Sequence, residues 1–412
     1  MASIQTLAPG VAEKLRASLV INSLEQCATE LVQNSIDANA SSIEVKVDIA
    51  GHSLQVSDNG DGITSTDMER VGVRYSTSKC STLQDLGRIR TYGFRGEAIA
   101  AMTEMSLVDI VSYPRDQKHI YSTIFRGGER LYCGRTIRQN YWSEASVSKL
   151  DLELEKVRRA VETLALISPQ VSFTVIDMAK DAKVMTLRKA DSQLNRITTV
   201  LGQALSSSLA FVKSIDDPTY SFTGYISTVG HYNRLYQFIY LNNRPINSEG
   251  LNRAITQLFQ QSSFSKDSLQ YDEDLRRSKE RYPVYVLTLK CPPCEYDICA
   301  DPSKATVEFE EEERVLYIVR DTIITFLERR HLLSRSAALT LRNQTTTRKR
   351  KSRAKSCTGN AGDLASLGRI SRVKTSRPSR VAKPLQHASV NGGDDIHHED
   401  IDIEDDLEFE LD

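Results

Sequence analysis

The residues that could do chemistry in this chain of 412 residues are concentrated in one short run, Glu30 to Ala38. Glu30 and Asn34 are four positions apart, so on a helix their side chains lie one turn apart on the same face. A carboxylate can deprotonate a water molecule, and a carboxamide oxygen can bind a hard cation such as Mg²⁺. Taken alone, this spacing is also typical of an ordinary solvated helix face.

Three further segments with unusual composition follow this run. Asp58-Asn-Gly-Asp-Gly62 comes after an alternating stretch, and Asn-Gly in that place is also typical of a plain hairpin turn. The run from Arg74 to Lys79 comes next, followed by Tyr92-Gly-Phe-Arg-Gly-Glu-Ala98. The two glycines of that last heptad permit unusual backbone angles, and backbone amides at the start of a following helix can bind an anion.

In this order, the segments resemble the motifs of the GHKL ATPases, a family that includes gyrase B, Hsp90, the histidine kinases and MutL. The heptad Tyr92 to Ala98 is similar to MutL in particular, whereas gyrase and Hsp90 carry different sequences there. Segments 33–38, 77–80 and 296–299 resemble the meiotic MutL-gamma subunit, the third eukaryotic MutL homologue. The resemblance extends from about residue 10 to about residue 330.

The elements that must position these residues follow from apolar periodicity. Alternation over 43–49 and 53–57 predicts strands, and apolar spacing over 151–167 and 310–330 predicts amphipathic helices. Ser23 is expected to cap the helix that carries Glu30.

The resemblance implies an α/β fold with four parts. An N-terminal GHKL (Bergerat) α/β sandwich would span 1–190, and a ribosomal-S5-like α/β transducer domain would span 191–332. A basic disordered linker, 333–393, and an acidic disordered tail, 394–412, would follow.

The resemblance also implies a site for ATP and Mg²⁺. Glu30 would be the general base for the water that attacks the γ-phosphate, and Asn34 would ligate Mg²⁺. Asp58 would accept a hydrogen bond from the adenine amino group, while Asp37 would support the site from a neighbouring face. The other expected nucleotide-binding residues are Gly60, Gly62, Thr77, Ser78, Lys79, Gly93, Phe94, Arg95, Gly96 and Glu97. We call Tyr92 to Ala98 the lid. For Arg95, the alternative is a surface ion pair.

A second catalytic residue is expected from the second domain. The run from Tyr296 to Lys304 resembles the MutL segment that delivers a lysine to the γ-phosphate across the domain boundary. This chain has Asp301 where many MutL proteins have histidine, and the alternative for Lys304 is a surface lysine. The hairpin signal Tyr240 to Ile246 resembles the N-x-R-x-[VI] stretch of the MutL transducer domain.

The sequence departs from the MutL pattern in two places, which bear on ATPase activity and on the C-terminal domain. MutL proteins carry the motifs G-T-T-V and N-x-P-x-R-R-K in this region. This chain keeps only Gly134, Thr136 and Ile137 of the first motif, and the second is not recognisable. We therefore expect the region 134–150 to weaken the ATPase activity. No run resembles the D-Q-H-A-x-x-E metal motif, so we expect the chain to lack the C-terminal endonuclease and dimerisation domain.

Charge is distributed unevenly along the chain. The formal net charge is −1, yet residues 331–390 carry fourteen Lys/Arg against one acid, and residues 394–412 carry eleven Asp/Glu. Arg348-Lys-Arg-Lys351 indicates nuclear targeting or a phosphate-binding arm, and a solvated linker is the alternative.

With no run of 18 apolar residues, no membrane partner is expected. Seven cysteines, an odd number, favour a reducing compartment.

Two functions remain open on these grounds. The first is a MutL-type subunit of DNA mismatch repair and meiotic recombination that binds ATP and hydrolyses it with Mg²⁺ as a molecular switch. The second is a catalytically impaired fragment that binds DNA or a partner. The resemblance implies a nuclear protein that contacts DNA phosphates non-specifically and pairs with a subunit of the MutL-homologue-1 type. A gyrase-like or chaperone GHKL protein is disfavoured by the lid sequence.

Overall fold

The computed structural model describes residues 9–80, 82, 85, 89, 91–115, 117–136, 143–144, 150–214, 217, 219–265, 281–297 and 307–343. These residues belong to one compact unit, Met1–Ala354. None of the helices in the described ranges has the length and apolar character needed to cross a bilayer.

The first part of the chain is built on an eight-stranded sheet with the order β5-β4-β3-β6-β2-β1-β7-β8. The strands are β1 Ser42–Asp48, β2 Ser53–Asp58, β3 Leu107–Ser112, β4 Ile120–Arg126, β5 Glu129–Thr136, β6 Ser143–Glu144, β7 Ser172–Asp177 and β8 Ala182–Leu187. Only β1 and β7 run parallel; all other neighbours are antiparallel. We call this sheet and its helices the first module.

The described helices of the first module are α1 Pro9–Val20, α2 Leu24–Asp37, α3 Ser65–Met68, α4 Ala98–Met105 and α5 Leu150–Ala165. All of them except α3 contribute side chains to one apolar core with the sheet. Because α2 packs against α5 and β2, its direction is fixed by burial on both sides.

The start of α2 confirms the predicted cap. The Ser23 hydroxyl accepts a hydrogen bond from the backbone N–H of Gln26 at 3.1 Å. This bond satisfies one of the free amides of the first turn and contributes about 1 kcal/mol. The Gln26 side chain turns to Glu30 instead of back to the cap.

The second module is built on a five-stranded sheet with the order β12-β11-β13-β10-β9. The strands are β9 Leu209–Lys213, β10 Ser221–Ser227, β11 Gln237–Leu241, β12 Arg244–Ile246 and β13 Tyr285–Lys290. The helices are α6 Gln193–Leu201, α7 Gln203–Ser206, α8 Glu249–Gln260 and α9 Glu312–Arg329. A separate ribbon pairs β14 Tyr296–Asp297 with β15 Glu308–Phe309. Buried side chains of α8 and α9 form one core with the five-stranded sheet.

The two modules meet in a small third core of Leu166, Ile197, Tyr240 and Val286. The Tyr240 hydroxyl donates to the carbonyl oxygen of Thr163 at 2.8 Å, which joins β11 to α5. Apolar burial and a partly buried hydrogen bond therefore hold the modules together. The domain boundary expected near residue 191 stays a prediction.

The described chain continues beyond the linker boundary expected at residue 333. Residues 335–343 are helical and the Ala338 side chain is buried. Arg342 donates to Asp321 and to Thr325 of α9, both at 2.8 Å. These hydrogen bonds attach residues 335–343 to α9, although the sequence of that segment has little apolar periodicity. The rest of the expected linker and the acidic tail lie outside the described residues.

Candidate functional site

The site begins on α2, whose last three turns carry Glu30, Asn34 and Asp37. Glu30 is only 4% exposed. The side-chain amide of Gln26, one turn earlier, donates to Glu30 Oε1 at 3.2 Å. Because α2 is packed against α5 and β2, this carboxylate is held at a fixed place under the loops that follow.

Asn34 presents its amide oxygen to a cation. The Lys79 ammonium nitrogen lies 3.0 Å from Asn34 Oδ1 and 2.7 Å from Asp37 Oδ2. Two oxygen atoms thus converge on one positive charge, and neutral and anionic oxygens are the ligands that Mg²⁺ prefers. The donor set of α2 therefore fits a hard cation.

Asp37 connects α2 to the lid. Its Oδ1 accepts a hydrogen bond from the backbone N–H of Tyr92 at 2.9 Å, and Oδ2 accepts one from Gly93 at 3.0 Å. Together with the Lys79 contact, these bonds occupy both oxygens of a side chain that is only 5% exposed. Asp37 was expected only to support the site, and its bond to the lid has no local sequence signal.

Asp58 ends β2 directly beside α2. Its Oδ2 accepts from the Ser35 hydroxyl at 2.8 Å, and its Oδ1 accepts from the Gly60 amide at 2.8 Å. A Cβ on Gly60 would lie 2.6 Å from the carbonyl oxygen of Ala38, so this loop needs glycine to lie on the end of α2. The loop joins β2 to α3, so it is not the plain hairpin turn that was the alternative.

Gly62 adopts a left-handed backbone, with φ of 80°. A Cβ there would lie 3.0 Å from Pro114 Cα and from the Tyr113 carbonyl oxygen. Both the conformation and the close approach therefore favour glycine. The structure brings Asp58, Gly60 and Gly62 together at the end of α2, and their assigned roles toward adenine stay predictions.

The loop that contains Thr77, Ser78 and Lys79 packs against the lid. The Tyr75 amide donates to the carbonyl oxygen of Gly96 at 3.0 Å. Gly96 has a φ of 64°, and a Cβ there would lie 2.4 Å from the Ser76 carbonyl oxygen. The Thr77 hydroxyl accepts from the Lys79 amide at 3.1 Å, whereas the Ser78 side chain is exposed.

The rest of the lid lies over α2 and ends in α4. Phe94 is buried, and Gly93 lies so close to Asn34 and Lys79 that a Cβ would be 3.0 Å from Asn34 Oδ1. Arg95 and Glu97 form an ion pair at 3.9 Å, with side chains that are 18% and 19% exposed, and the expected role of Arg95 toward the nucleotide stays a prediction. Glu97 stands at the N-cap position of α4, so the free amides of that helix lie next to the lid.

The second module reaches the same loop. The Tyr92 hydroxyl donates to the carbonyl oxygen of Asn243 at 2.9 Å. Arg244 is 6% exposed, donates to the carbonyl oxygen of Thr91 and lies over the Phe94 ring, 5.4 Å from its centroid. The sequence marked this hairpin by its N-x-R-x-[VI] pattern but assigned it no role at the site. Lys304, the expected second-module residue, lies outside the described residues.

Two segments of this chain match models of known protein families. Residues 21–127 match the model of the histidine kinase-, DNA gyrase B- and HSP90-like ATPases, and residues 197–328 match that of the DNA mismatch repair protein C-terminal domain. The human DNA mismatch repair protein Mlh3 is 34% identical over 353 residues, which cover 80% of this chain and 24% of the human protein. This chain belongs to the MutL family of DNA mismatch repair proteins. The suspected family is thereby confirmed.

A second relative and a solved structure also match this chain, the latter in its fold. MutL of Halothermothrix orenii is 27% identical over 339 residues, which cover 78% of this chain and 50% of that protein. The crystal structure of the N-terminal domain of a DNA repair protein matches with a TM-score of 0.61 at 23% identity. That match covers 78% of this chain and 99% of the other, and it shows a shared fold. The expected α/β fold of the GHKL type is confirmed. The chain spans from about a quarter to a half of the length of these two curated relatives.

Proposed function

We propose that this chain is the part of a MutL-type DNA mismatch repair subunit that binds ATP and hydrolyses it with Mg²⁺. One observation carries the proposal. A buried carboxylate, a cation-facing amide and a lid-binding carboxylate follow one another along α2, as Glu30, Asn34 and Asp37. The match of residues 21–127 to an ATPase family model supports the same conclusion.

Glu30 acts as the general base in this proposal. Its burial keeps bulk water away, and the Gln26 amide holds one of its oxygens, so the carboxylate is oriented before the substrate arrives. A base of this kind removes the proton of the attacking water and contributes about 10²-fold or more to the rate. Its contact is with water rather than with nucleotide, so it contributes little to ATP affinity.

Asn34 would hold Mg²⁺ through Oδ1, the atom that now faces the Lys79 ammonium. When bound, the ion would neutralise charge on the phosphates. Lys79 lies beside the same oxygens, so its positive charge is already placed where the triphosphate must approach. Lys79 and the free amides at the start of α4 would together contact phosphate oxygens.

Asp58 would fix the adenine base. Its two oxygens are already bonded to the Ser35 hydroxyl and the Gly60 amide, and these bonds set the direction of the carboxylate. An ionised carboxylate has about four lone-pair positions, so it can accept a further bond from the adenine amino group. Lys304 would supply a charge to the γ-phosphate from the second module.

The wider role follows from the relatives and remains part of the proposal. The chain would act in mismatch repair and meiotic recombination in the nucleus. It would bind DNA phosphates without sequence preference and pair with a subunit of the MutL-homologue-1 type. A catalytically impaired MutL fragment that binds DNA or a partner is the second candidate, favoured by the altered region 134–150.

Turnover and binding measured on one preparation test the proposal. ATP hydrolysis and the affinity for a non-hydrolysable ATP analogue are followed while Mg²⁺ is titrated. Asn34→Ala should weaken the Mg²⁺-dependent part of binding, because it removes an oxygen ligand. Asn195→Ala, at an exposed position of α6, is the matched control and should leave the titration unchanged. Analogue binding without Mg²⁺-dependent turnover would favour the impaired fragment, and an unchanged titration in Asn34→Ala would remove this residue from the ligands.

A further inference from the structure

The start of the lid is held from two sides. On one side, the Asp37 carboxylate of α2 accepts the amides of Tyr92 and Gly93. On the other side, the second module contributes the Arg244 guanidinium, which donates to the carbonyl of Thr91, and the Asn243 carbonyl, which accepts from the Tyr92 hydroxyl. Residues 91–93 therefore lie between the two modules, with hydrogen bonds to both.

Arg244 is a buried charge with specific surroundings. The exposed fraction of 6% means that its guanidinium has left water almost completely, which is costly without fixed partners. Burial lowers the pKa of Arg244, and the attraction of Tyr296, Asp37, Tyr92 and Glu30 partly offsets this effect. The guanidinium also lies over the Phe94 ring, an arrangement that a planar cation favours. Small displacements would break these contacts, so the position of Arg244 is narrowly defined.

The hairpin that carries Arg244 is fixed to the second sheet. Asn242 and Asn243 have φ of 48° and 70°, as the turn of a tight hairpin between β11 and β12 requires. The Asn242 side-chain amide donates to the Cys291 carbonyl at 2.8 Å, and its oxygen accepts the Cys291 amide at 3.2 Å. The hairpin tip thus moves with the sheet, and any shift of the second module relative to α2 must act on residues 91–93.

We infer that the hairpin tip 242–244 is a latch through which the second module sets the mobility of the lid. Arg244 is its positioning residue, since it acts through the lid and not on the nucleotide. This control route is distinct from the lysine expected at position 304. The latch contacts join residues of this chain and involve no nucleotide. The inference therefore rests on the proposed function only for its effect on ATP binding and turnover.

The latch predicts a particular kinetic signature. If the closed lid becomes a minor state, the apparent ATP affinity falls with the closed fraction. Turnover falls as well, because closure of a lid completes the catalytic site. A group that acts in the chemical step would instead lower turnover and leave affinity unchanged. Loss of the latch should therefore raise KM and lower kcat together.

Hydrogen exchange of the full chain without nucleotide tests the latch directly. Arg244→Ala should speed exchange of the Tyr92 and Gly93 amides by about tenfold, as expected for a lost bond to a charged group. Arg244→Lys keeps a charge and a donor but not the planar contact with Phe94, so its effect should be intermediate. Arg253→Ala, at a position of α8 that is 64% exposed, is the matched control and should leave these amides unchanged.

Tyr92→Phe keeps the test decisive if Arg244→Ala does not fold. It removes one hydroxyl and its bond to Asn243, and it should speed lid exchange by a few-fold while exchange in β1 stays constant. If the amides of Tyr92 and Gly93 exchange at the parental rate in Tyr92→Phe and in the folded Arg244 variants, the inferred latch is wrong. Because this measurement uses no nucleotide, it is independent of whether the parental chain hydrolyses ATP. With ATP present, a parental KM together with a parental kcat in the folded Arg244 variants would equally contradict the inference.

Discussion

Asp37 is the residue on which most contacts of the site converge. It pairs with Lys79, accepts two lid amides and is almost fully buried. A buried carboxylate keeps its charge only where donors surround it, so the lid amides and the lysine stabilise Asp37 as much as it stabilises them. The resting arrangement of the lid therefore depends on this side chain.

Replacement of Asp37 by asparagine should weaken ATP binding. The variant keeps the size of the side chain but removes the charge that attracts Lys79 and one oxygen that accepts from the lid. We expect about a tenfold loss of affinity for an ATP analogue, the effect of a lost charged hydrogen bond. Calorimetric titration measures it, with Asp48→Asn, at the last residue of β1, as the control. Parental affinity in Asp37→Asn would mean that the lid contributes nothing to binding.

Sequence reasoning found some of these residues and missed others for a physical reason. Glu30 and Asn34 are one helical turn apart, so their common face is visible in a local pattern. Asp37 meets the lid across 55 positions, and Arg244 meets Thr91 across 153. Such contacts depend on how the modules pack, which no local periodicity encodes. The motif around Arg244 could be read from the sequence, but its hydrogen-bond partner, the carbonyl of Thr91, could not.

At the scale of elements, the long helices and most strands were predictable, whereas the two edge strands of the eight-stranded sheet were not. β1 buries every second side chain, and this alternation is read directly from the sequence. β5 and β8 lie at the two edges of the eight-stranded sheet, and each pairs with its neighbour through a register shift. A register shift interrupts the two-residue period, and an edge strand has less to bury. β6 has only two residues, too few for any period.

The region 134–150 carries the element-scale prediction. β5 ends at Thr136, and β6 lies between β2 and β3 in the centre of the sheet, while residues 137–142 and 145–149 lie outside the described chain. A segment that supports the closed lid poorly lowers the apparent affinity with the closed fraction. It also slows turnover, because closure of a lid completes the catalytic site. We therefore expect weak ATP binding and slow hydrolysis.

Restoring G-T-T-V and N-x-P-x-R-R-K in the region 134–150 should raise both affinity and rate. The comparison is made on one preparation of each protein by analogue titration and steady-state turnover. An exchange of the four turn residues 178–181 between β7 and β8 is the control for general effects of substitution. If the parental chain turns over ATP as fast as the restored one, the altered region is harmless and the expected weakening is wrong.

At the scale of the whole molecule, charge distinguishes the two modules from the chain beyond residue 330. Residues 1–330 carry thirty-nine basic and forty-two acidic side chains, so their charges nearly cancel. The basic excess over residues 331–390 and the acidic excess over 394–412 are properties of the sequence beyond the second module. A nearly neutral pair of modules gives little long-range attraction to DNA, so basic residues after them are the candidate donors.

DNA binding should depend strongly on salt and little on sequence. Arg348 to Lys351 supply four positive charges, and each phosphate contact steepens the dependence of log affinity on log salt by about 0.9. Alanine at these four positions should therefore flatten the slope, as measured by fluorescence anisotropy at several salt concentrations. Alanine at Arg369, Arg372, Lys374 and Arg377 provides a control with equal loss of charge. A slope that is unchanged in the first variant would mean that this run is only a targeting signal.

The most direct test of Glu30 as the catalytic base is to measure ATP turnover beside ATP-analogue binding in Glu30→Ala and Glu30→Gln. Glutamine keeps the size of the side chain but cannot take a proton, and alanine removes it altogether. We predict that both variants lose turnover by about 10²-fold or more while analogue affinity stays within about twofold of the parental value. Glu25→Gln, on the same helix with its carboxyl near Lys156, should keep parental turnover. Parental turnover in either Glu30 variant would contradict the claim that α2 carries the catalytic base.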